Sequence, residues 1–229
     1  MTTTAAQQEP RTAPGPVLWL CLIAASAMLA IVGVYLPLPW LHYLAKPLTT
    51  LLIVAMVWRA SASGPGYRGG IIFGLLLSTV GDVFLMLPGD YFVFGLGSFL
   101  FAHLAYLFAF TRRERLFVIA WPVLVYALLS GLAVSALWPF VPHGLIVPVI
   151  IYAATLAAMA AQAAAVWRRR RDHSTALAAA GGLFFVASDS LLSIESFVTP
   201  FAAAPLLVLA TYWIAQSLIG LSVRPNRTE

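Results

Sequence analysis

Two aspartates, Asp82 and Asp189, stand in stretches of sequence otherwise made of apolar and small residues. A carboxyl group in such surroundings is costly unless it pairs, accepts hydrogen bonds or keeps its proton. A second carboxyl nearby opens a division of labour. One group holds a proton and donates it, while the other stays charged and stabilises a cation, as in glycoside hydrolysis. Polar residues at helical spacing accompany both aspartates. Ser78 lies four residues before Asp82 and shares its helix face, and Gly81 lets a neighbouring backbone or a ligand approach. Gly95, Phe99, His103 and Tyr106 trace one stripe of a helix, Tyr212 and Gln216 are four apart, and Ser188 and Ser190 flank Asp189.

The elements that must carry these residues follow from composition. The chain has 229 residues, 62% of them hydrophobic and 9% charged, and its mean hydropathy is +0.93. That is too little charge to cover a water-soluble domain. The apolar residues fall in runs long enough for a bilayer core of roughly 30 Å. Spans are expected near 17–36, 43–58, 70–87, 91–111, 116–137, 144–167, 175–198 and 202–222, which makes an all-α membrane protein of eight transmembrane helices. Breaks are marked by Pro37–Pro39, Gly64–Pro65–Gly66, Pro88–Gly89–Asp90, Pro139–Pro142 and Pro200. The first run is too long for a signal-peptide core and reads as a retained span. Residues 1–16 form a polar tail expected to be disordered, 17–222 the membrane domain, and 223–229 a short second tail.

The net charge of +5 belongs to topology and not to nucleic acid. Of the thirteen basic residues, Lys46 alone falls inside a span. The others are Arg11, Arg59, Arg68, Arg112, Arg113, Arg115, Arg168 to Arg171, Arg224 and Arg227, all at alternate ends of the spans. The positive-inside rule then puts both termini in the cytoplasm, as an even span count requires. The Arg168–Arg171 run reads as a topology anchor, with an anionic-lipid contact as the alternative. The single Cys21 reads as an apolar filler.

Few ionisable groups remain inside the membrane: Lys46, Asp82, His103, Asp189 and Glu195. At about 1.5 Å per residue, Lys46, Asp82 and Asp189 lie about 7, 9 and 13 Å below the outer ends of their spans, and His103 about 18 Å. The first three therefore share one layer in the outer half, a polar pocket, and Glu195 reaches the outer surface. The depth of His103 argues against a metal held by it and both aspartates. Lys46 is either a plain counter-ion or a contact for a substrate phosphate. His103 reads first as an interhelical hydrogen-bonder, and the aspartates have a purely structural alternative, tying helices through Lys46, serines or tyrosines. Gly74 precedes Asp82, and Gly181 precedes Asp189, by eight residues, and Leu85 and Leu192 follow by three. This echo is either the trace of two parallel four-helix halves or coincidence among Leu- and Gly-rich spans, and coincidence is the simpler account.

The motifs Lys46-Pro47-Leu48-Thr49, Ser78-x-x-Gly81-Asp82-x-x-Leu85-Met86 and Gly95-x-x-x-Phe99-x-x-x-His103-x-x-Tyr106 together resemble the YhhN family, the lysoplasmalogenase-like membrane proteins. Gly181 through Phe184-x-x-x-Ser188-Asp189-Ser190 and Tyr212-x-x-Ala215-Gln216 extend the resemblance over about residues 20–222. It implies an eight-helix enzyme of a bacterial inner membrane that hydrolyses the vinyl-ether bond of a lysophospholipid, releasing a fatty aldehyde and a glycerophospho-alcohol. In that reading Asp82 and Asp189 are catalytic. Lys46, Ser78, Gly81, His103, Tyr106, Ser188, Tyr212 and Gln216 bind or support, the partners are membrane lipids, and neither metal nor organic cofactor is required. The alternative class is a small transporter using Asp82 and Asp189 as a proton or cation relay, with Pro47, Pro122 and Pro148 interrupting helices. A third is a structural or assembly protein.

Overall fold

The computed structural model describes residues 15–36, 38–61 and 64–225. Residues 1–14, most of the tail expected over 1–16 and Arg11 with it, and residues 226–229 with Arg227 lie outside the described residues. Eight helices are long and apolar enough to cross a membrane. They are α1 (Pro16–Tyr35), α2 (Pro39–Trp58), α3 (Pro65–Met86), α4 (Phe92–Thr111), α5 (Ala120–Leu137), α6 (Ile146–Arg170), α7 (His173–Ser193) and α8 (Ala204–Leu221). Helices are what lipid demands, because each satisfies its own backbone hydrogen bonds where no water is available.

The sequence punctuates the helices locally. Proline sits in the first turn of α1, α2, α3 and α8, where its missing N–H costs nothing and its φ suits a helix. Asp172 caps α7 by accepting the Thr175 N–H at 2.8 Å. Between α3 and α4 the chain reverses through Gly89, whose φ of +122° is a conformation that side chains disfavour. The prolines that could have interrupted helices do not: Pro47 lies inside an unbroken α2, and Pro122 and Pro148 sit in the opening turns of α5 and α6. A 3-10 turn, His143–Leu145, leads into α6, and a π turn, Ile194–Val198, continues α7.

The helices pack as sequential hairpins, α1 with α2, α3 with α4, α5 with α6 and α7 with α8. Further contacts of α2 with α3, α4 with α6, α6 with α7 and α8 with α2 close six helices into a ring. The remaining two are peripheral: α1 leans on α2 and α8, whereas α5 leans on α6 and the π turn. The order of contacts in the first four helices thus recurs in the last four. The repeat is not exact: α1 reaches α8 but α5 makes no comparable contact with α4, and α3 touches α8 without a matching contact of α7 with α4. Only Pro122 of α5 is buried, and Leu124, Leu128 and Leu132 form an exposed apolar row suited to lipid.

Close approach of the helices rests on small residues. A Cβ on Gly74 would stand 2.3 Å from the Tyr106 ring, one on Gly81 2.6 Å from the Phe99 ring, and one on Gly181 2.9 Å from the Ala215 carbonyl oxygen. Tyr106 is fully buried and has no space into which to withdraw. Gly74→Ala is therefore expected to destabilise the bundle by about 1–3 kcal/mol, read as a lowered unfolding temperature in detergent. Gly97→Ala, which meets nothing within 4 Å, serves as the control and leaves that temperature unchanged or raised.

The arginine-bearing end is locked separately. Arg113 donates to the Ser174 hydroxyl at 2.8 Å and the Ser222 carbonyl at 2.7 Å, and its guanidinium lies 3.7 Å from the centre of the Tyr67 ring. Burial lowers the pKa of Arg113 from its ordinary value, and Tyr67 and Asp172 oppose that shift. Arg170 pairs with Glu114 at 2.8 Å and donates to the Arg113 carbonyl at 2.6 Å. These contacts tie the α4–α5 connection to the start of α7 and the end of α8.

Candidate active site

The ring of helices encloses a polar chamber at the end opposite the arginines. It is a cavity of about 300 Å³ lined by Lys46, Asp82, Tyr152, Ser188, Asp189, Glu195 and Tyr212, among others. Asp82, from α3, is 2% exposed. Its Oδ2 accepts hydrogen bonds from the Tyr212 hydroxyl at 2.7 Å and the Thr50 hydroxyl at 2.9 Å. Lys46 Nζ stands 3.8 Å from its Oδ1. Lys46 and Thr50 are one turn apart on α2, so a single helix face supplies both. The Trp213 indole N–H reaches Thr50 at 3.4 Å. Asp82 is thus surrounded by donors and one cation.

Asp189 differs. Its Oδ2 accepts from the Tyr152 hydroxyl at 2.5 Å. No cation is paired with it among the described residues, and Oδ1 takes no hydrogen bond there. Asp189 also borders a second, apolar cavity of about 240 Å³ between α4, α5, α6 and α7. The two carboxyls therefore share one chamber with unequal surroundings. One is held by Lys46, Tyr212 and Thr50; the other meets one tyrosine and hydrocarbon.

An aromatic frame fixes the two tyrosines. Phe185 meets Tyr212 edge-on at 5.6 Å and His103 at 4.7 Å between ring centres. Phe99 meets Tyr212 at 5.8 Å, and His103 meets Tyr152 at 5.2 Å. Such edge-to-face contacts are favourable and restrict ring rotation, so the hydroxyl groups are aimed before any ligand arrives.

The sequence-derived candidates sort into three groups. Lys46, Asp82, Ser188, Asp189 and Tyr212 line the chamber, although the Ser188 hydroxyl is spent on the Val208 carbonyl at 3.0 Å, joining α7 to α8. Ser78, Tyr106 and Gln216 are fully buried on a second polar level nearer the arginine end. There the Tyr106 hydroxyl donates to Gln216 Oε1 at 2.7 Å. Gly81 provides clearance for Phe99. His103 lines neither cavity and stands behind Tyr152, and neither ring nitrogen finds a hydrogen-bond partner among the described residues.

Sequence reasoning overlooked Thr50 and Tyr152, and it set Glu195 aside. Thr50 carried a signal, its four-residue spacing from Lys46. Tyr152 carried only a weak one, a tyrosine in an otherwise aliphatic half of α6. Glu195 occupies the π turn and lines the chamber together with Lys46. A π turn shifts side chains relative to the α-helical register and recurs at functional sites.

The family model described as the YhhN family matches residues 41–223. The chain belongs to the YhhN family. The YhhN match begins in α2 and runs through α8, and thus includes every candidate site residue. Lysoplasmalogenase TMEM86B of Sus scrofa is 35% identical over 189 residues, covering 80% of this chain and 76% of that protein. Its human counterpart, Lysoplasmalogenase TMEM86B of Homo sapiens, is 33% identical over 185 residues, covering 81% and 76%. A second YhhN relative, the uncharacterized membrane protein YhhN of Escherichia coli O157:H7, is 30% identical over 118 residues, covering 51% and 55%. No solved structure matches the chain.

Proposed function

We propose that this protein is a lysoplasmalogenase, an integral membrane hydrolase that cleaves the vinyl-ether bond of lysoplasmalogens by acid catalysis between Asp189 and Asp82. The observation that carries the reading is the inequality of the two carboxyls in one chamber. Relatives named lysoplasmalogenase at 33–35% identity support the substrate class.

Hydrolysis of a vinyl ether begins with transfer of a proton to the β-carbon of the alkenyl group, leaving an oxocarbenium ion. Asp189 is the donor. Paired with no cation among the described residues and bordering the apolar cavity, its carboxyl is placed to carry the proton. With Tyr152 donating to Oδ2, Oδ1 is left to carry the proton. Asp82, held charged by Lys46, Tyr212 and Thr50, stabilises the cation across the chamber. Water then attacks the oxocarbenium carbon and gives up a proton to a carboxylate. The hemiacetal collapses as its C–O bond to the glycerol breaks, its hydroxyl giving one proton to Asp189 while the leaving oxygen takes one from the carboxyl that the water protonated. The sum is one water consumed, one fatty aldehyde and one glycerophospho-alcohol released, and both carboxyls restored. Lys46, at the chamber wall, meets the substrate phosphate. In this reading the membrane is a bacterial inner membrane, and the positive-inside rule makes both termini cytoplasmic and the chamber part of the outer half.

The experiment is aldehyde release from a 1-alkenyl lysophospholipid by the purified protein. Steady turnover is expected with the vinyl ether and none with the saturated 1-alkyl ether, which has no carbon to protonate. Equal inertness toward both, in protein shown to be folded, overturns the reading.

A further inference from the structure

We infer that the apolar cavity between α4, α5, α6 and α7 is the binding site for the hydrocarbon chain of a single-chain lipid, open to the bilayer between α4 and α5. The inference rests on the hydrolase reading for the identity of the lipid, but its geometry stands apart from it. The cavity is walled by Leu96 and Phe99 of α4, Leu129 and Ala133 of α5, and Leu156 and Val186 of α6 and α7. Polar side chains such as Asp189, Ser193 and Ser196 border it on the α7 side, but most of the lining is apolar and suits a hydrocarbon.

Two observations select the occupant. The cavity is continuous in its lining with the polar chamber, since Leu85, Phe92, Phe99, Tyr152, Asp189 and Leu192 border both. A ligand filling both volumes must be polar at one end and apolar at the other, and its junction falls at Tyr152 and Asp189. That is the shape of an amphiphile. The second observation is the weakness of the α4–α5 contact. Where the packing order repeats between the two halves, α1 closes against α8, yet α5 does not close against α4. The opening lies beside the cavity, because α4 and α5 supply opposite walls. Ala133 is exposed there, so a chain passes sideways from lipid into the cavity without crossing water.

The faces of α5 agree with this division. Leu124, Leu128 and Leu132 follow one another at four-residue intervals on the lipid side. Tyr126, Leu129, Ala133 and Leu137 face the cavity. A substitution on the second face narrows the chain site, and one on the first touches only lipid.

The binding test uses full-length protein in lipid nanodiscs and a non-hydrolysable 1-alkyl lysophospholipid carrying a diazirine near the end of its chain. Photolabelling is expected on the cavity-facing positions of α5 and α6 and is displaced by excess unlabelled 1-alkyl lysophospholipid. Labelling confined to lipid-facing positions, or labelling that the competitor does not displace, overturns the inference. This measurement needs no turnover, so it decides the chain site even if the hydrolase reading fails. The kinetic test compares kcat/KM for hexadecenyl and octenyl substrates. Ala133→Phe, at an exposed position on a peripheral helix, is expected to lower the long-to-short ratio about 10-fold, whereas Leu132→Phe leaves the ratio unchanged. An unaltered ratio in Ala133→Phe overturns the inference.

Discussion

Asp189→Asn is expected to lower aldehyde release by about 10³-fold, the usual scale for loss of a positioned general acid, with little loss of stability. Asparagine preserves the volume and still offers an oxygen to the Tyr152 hydroxyl, which Asp189 accepts at 2.5 Å. What disappears is the transferable proton. Because no cation is paired with Asp189 among the described residues, the substitution strands no charge, and thermal unfolding in detergent should stay near that of the parent. Substrate binding should survive too, so the loss falls on kcat and not on KM. Turnover at the parental rate would end the assignment of Asp189 as the acid.

Asp82→Asn has a different expected signature, loss of activity together with loss of stability. Lys46 is 8% exposed and stands 3.8 Å from Asp82 Oδ1. Removing the carboxylate leaves a buried ammonium without its partner, which costs about 3 kcal/mol. The Tyr212 and Thr50 hydroxyls keep an acceptor in the asparagine oxygen, so the penalty is mainly electrostatic. Pairing the change with Lys46→Met should therefore recover most of the unfolding temperature while aldehyde release stays at least about 10²-fold below the parent. If the double variant recovers both stability and turnover, Asp82 is only a structural partner of Lys46. The two aspartates are thus separable by experiment, one affecting rate alone and the other rate and folding.

The lipid-facing architecture was legible because the bilayer imposes long-range regularity on the sequence. Eight apolar runs of span length, prolines at their beginnings and arginines at alternate ends are properties of each segment by itself, and the helices stand within a few residues of the expected ranges. Asp82, Asp189 and Lys46 stood out for the same reason, since an ionisable residue in an apolar span is conspicuous without any knowledge of its neighbours. Their gathering in one chamber agrees with simple depth along the helix.

The partners of those residues belong to the tertiary structure. Helical spacing says which side chains share a face, but not which face of another helix they meet. His103 shared a stripe with Tyr106 and yet lies behind Tyr152, set edge-on against aromatic rings. Tyr152 had no spacing to recommend it and nonetheless donates a hydrogen bond to the Asp189 carboxylate. Glu195 turns toward the chamber because a π turn breaks the α-helical register there, a local change that hydropathy does not record.

Sequence by itself therefore determined that the chain crosses a membrane eight times and carries two carboxyls into it. Only the packing of the helices decided that one carboxyl would be surrounded by donors and a cation, and the other by a tyrosine and hydrocarbon. The physical reason is that burial in lipid is set segment by segment, whereas the charge state of a buried group is set by whatever neighbouring helices bring within a few ångströms.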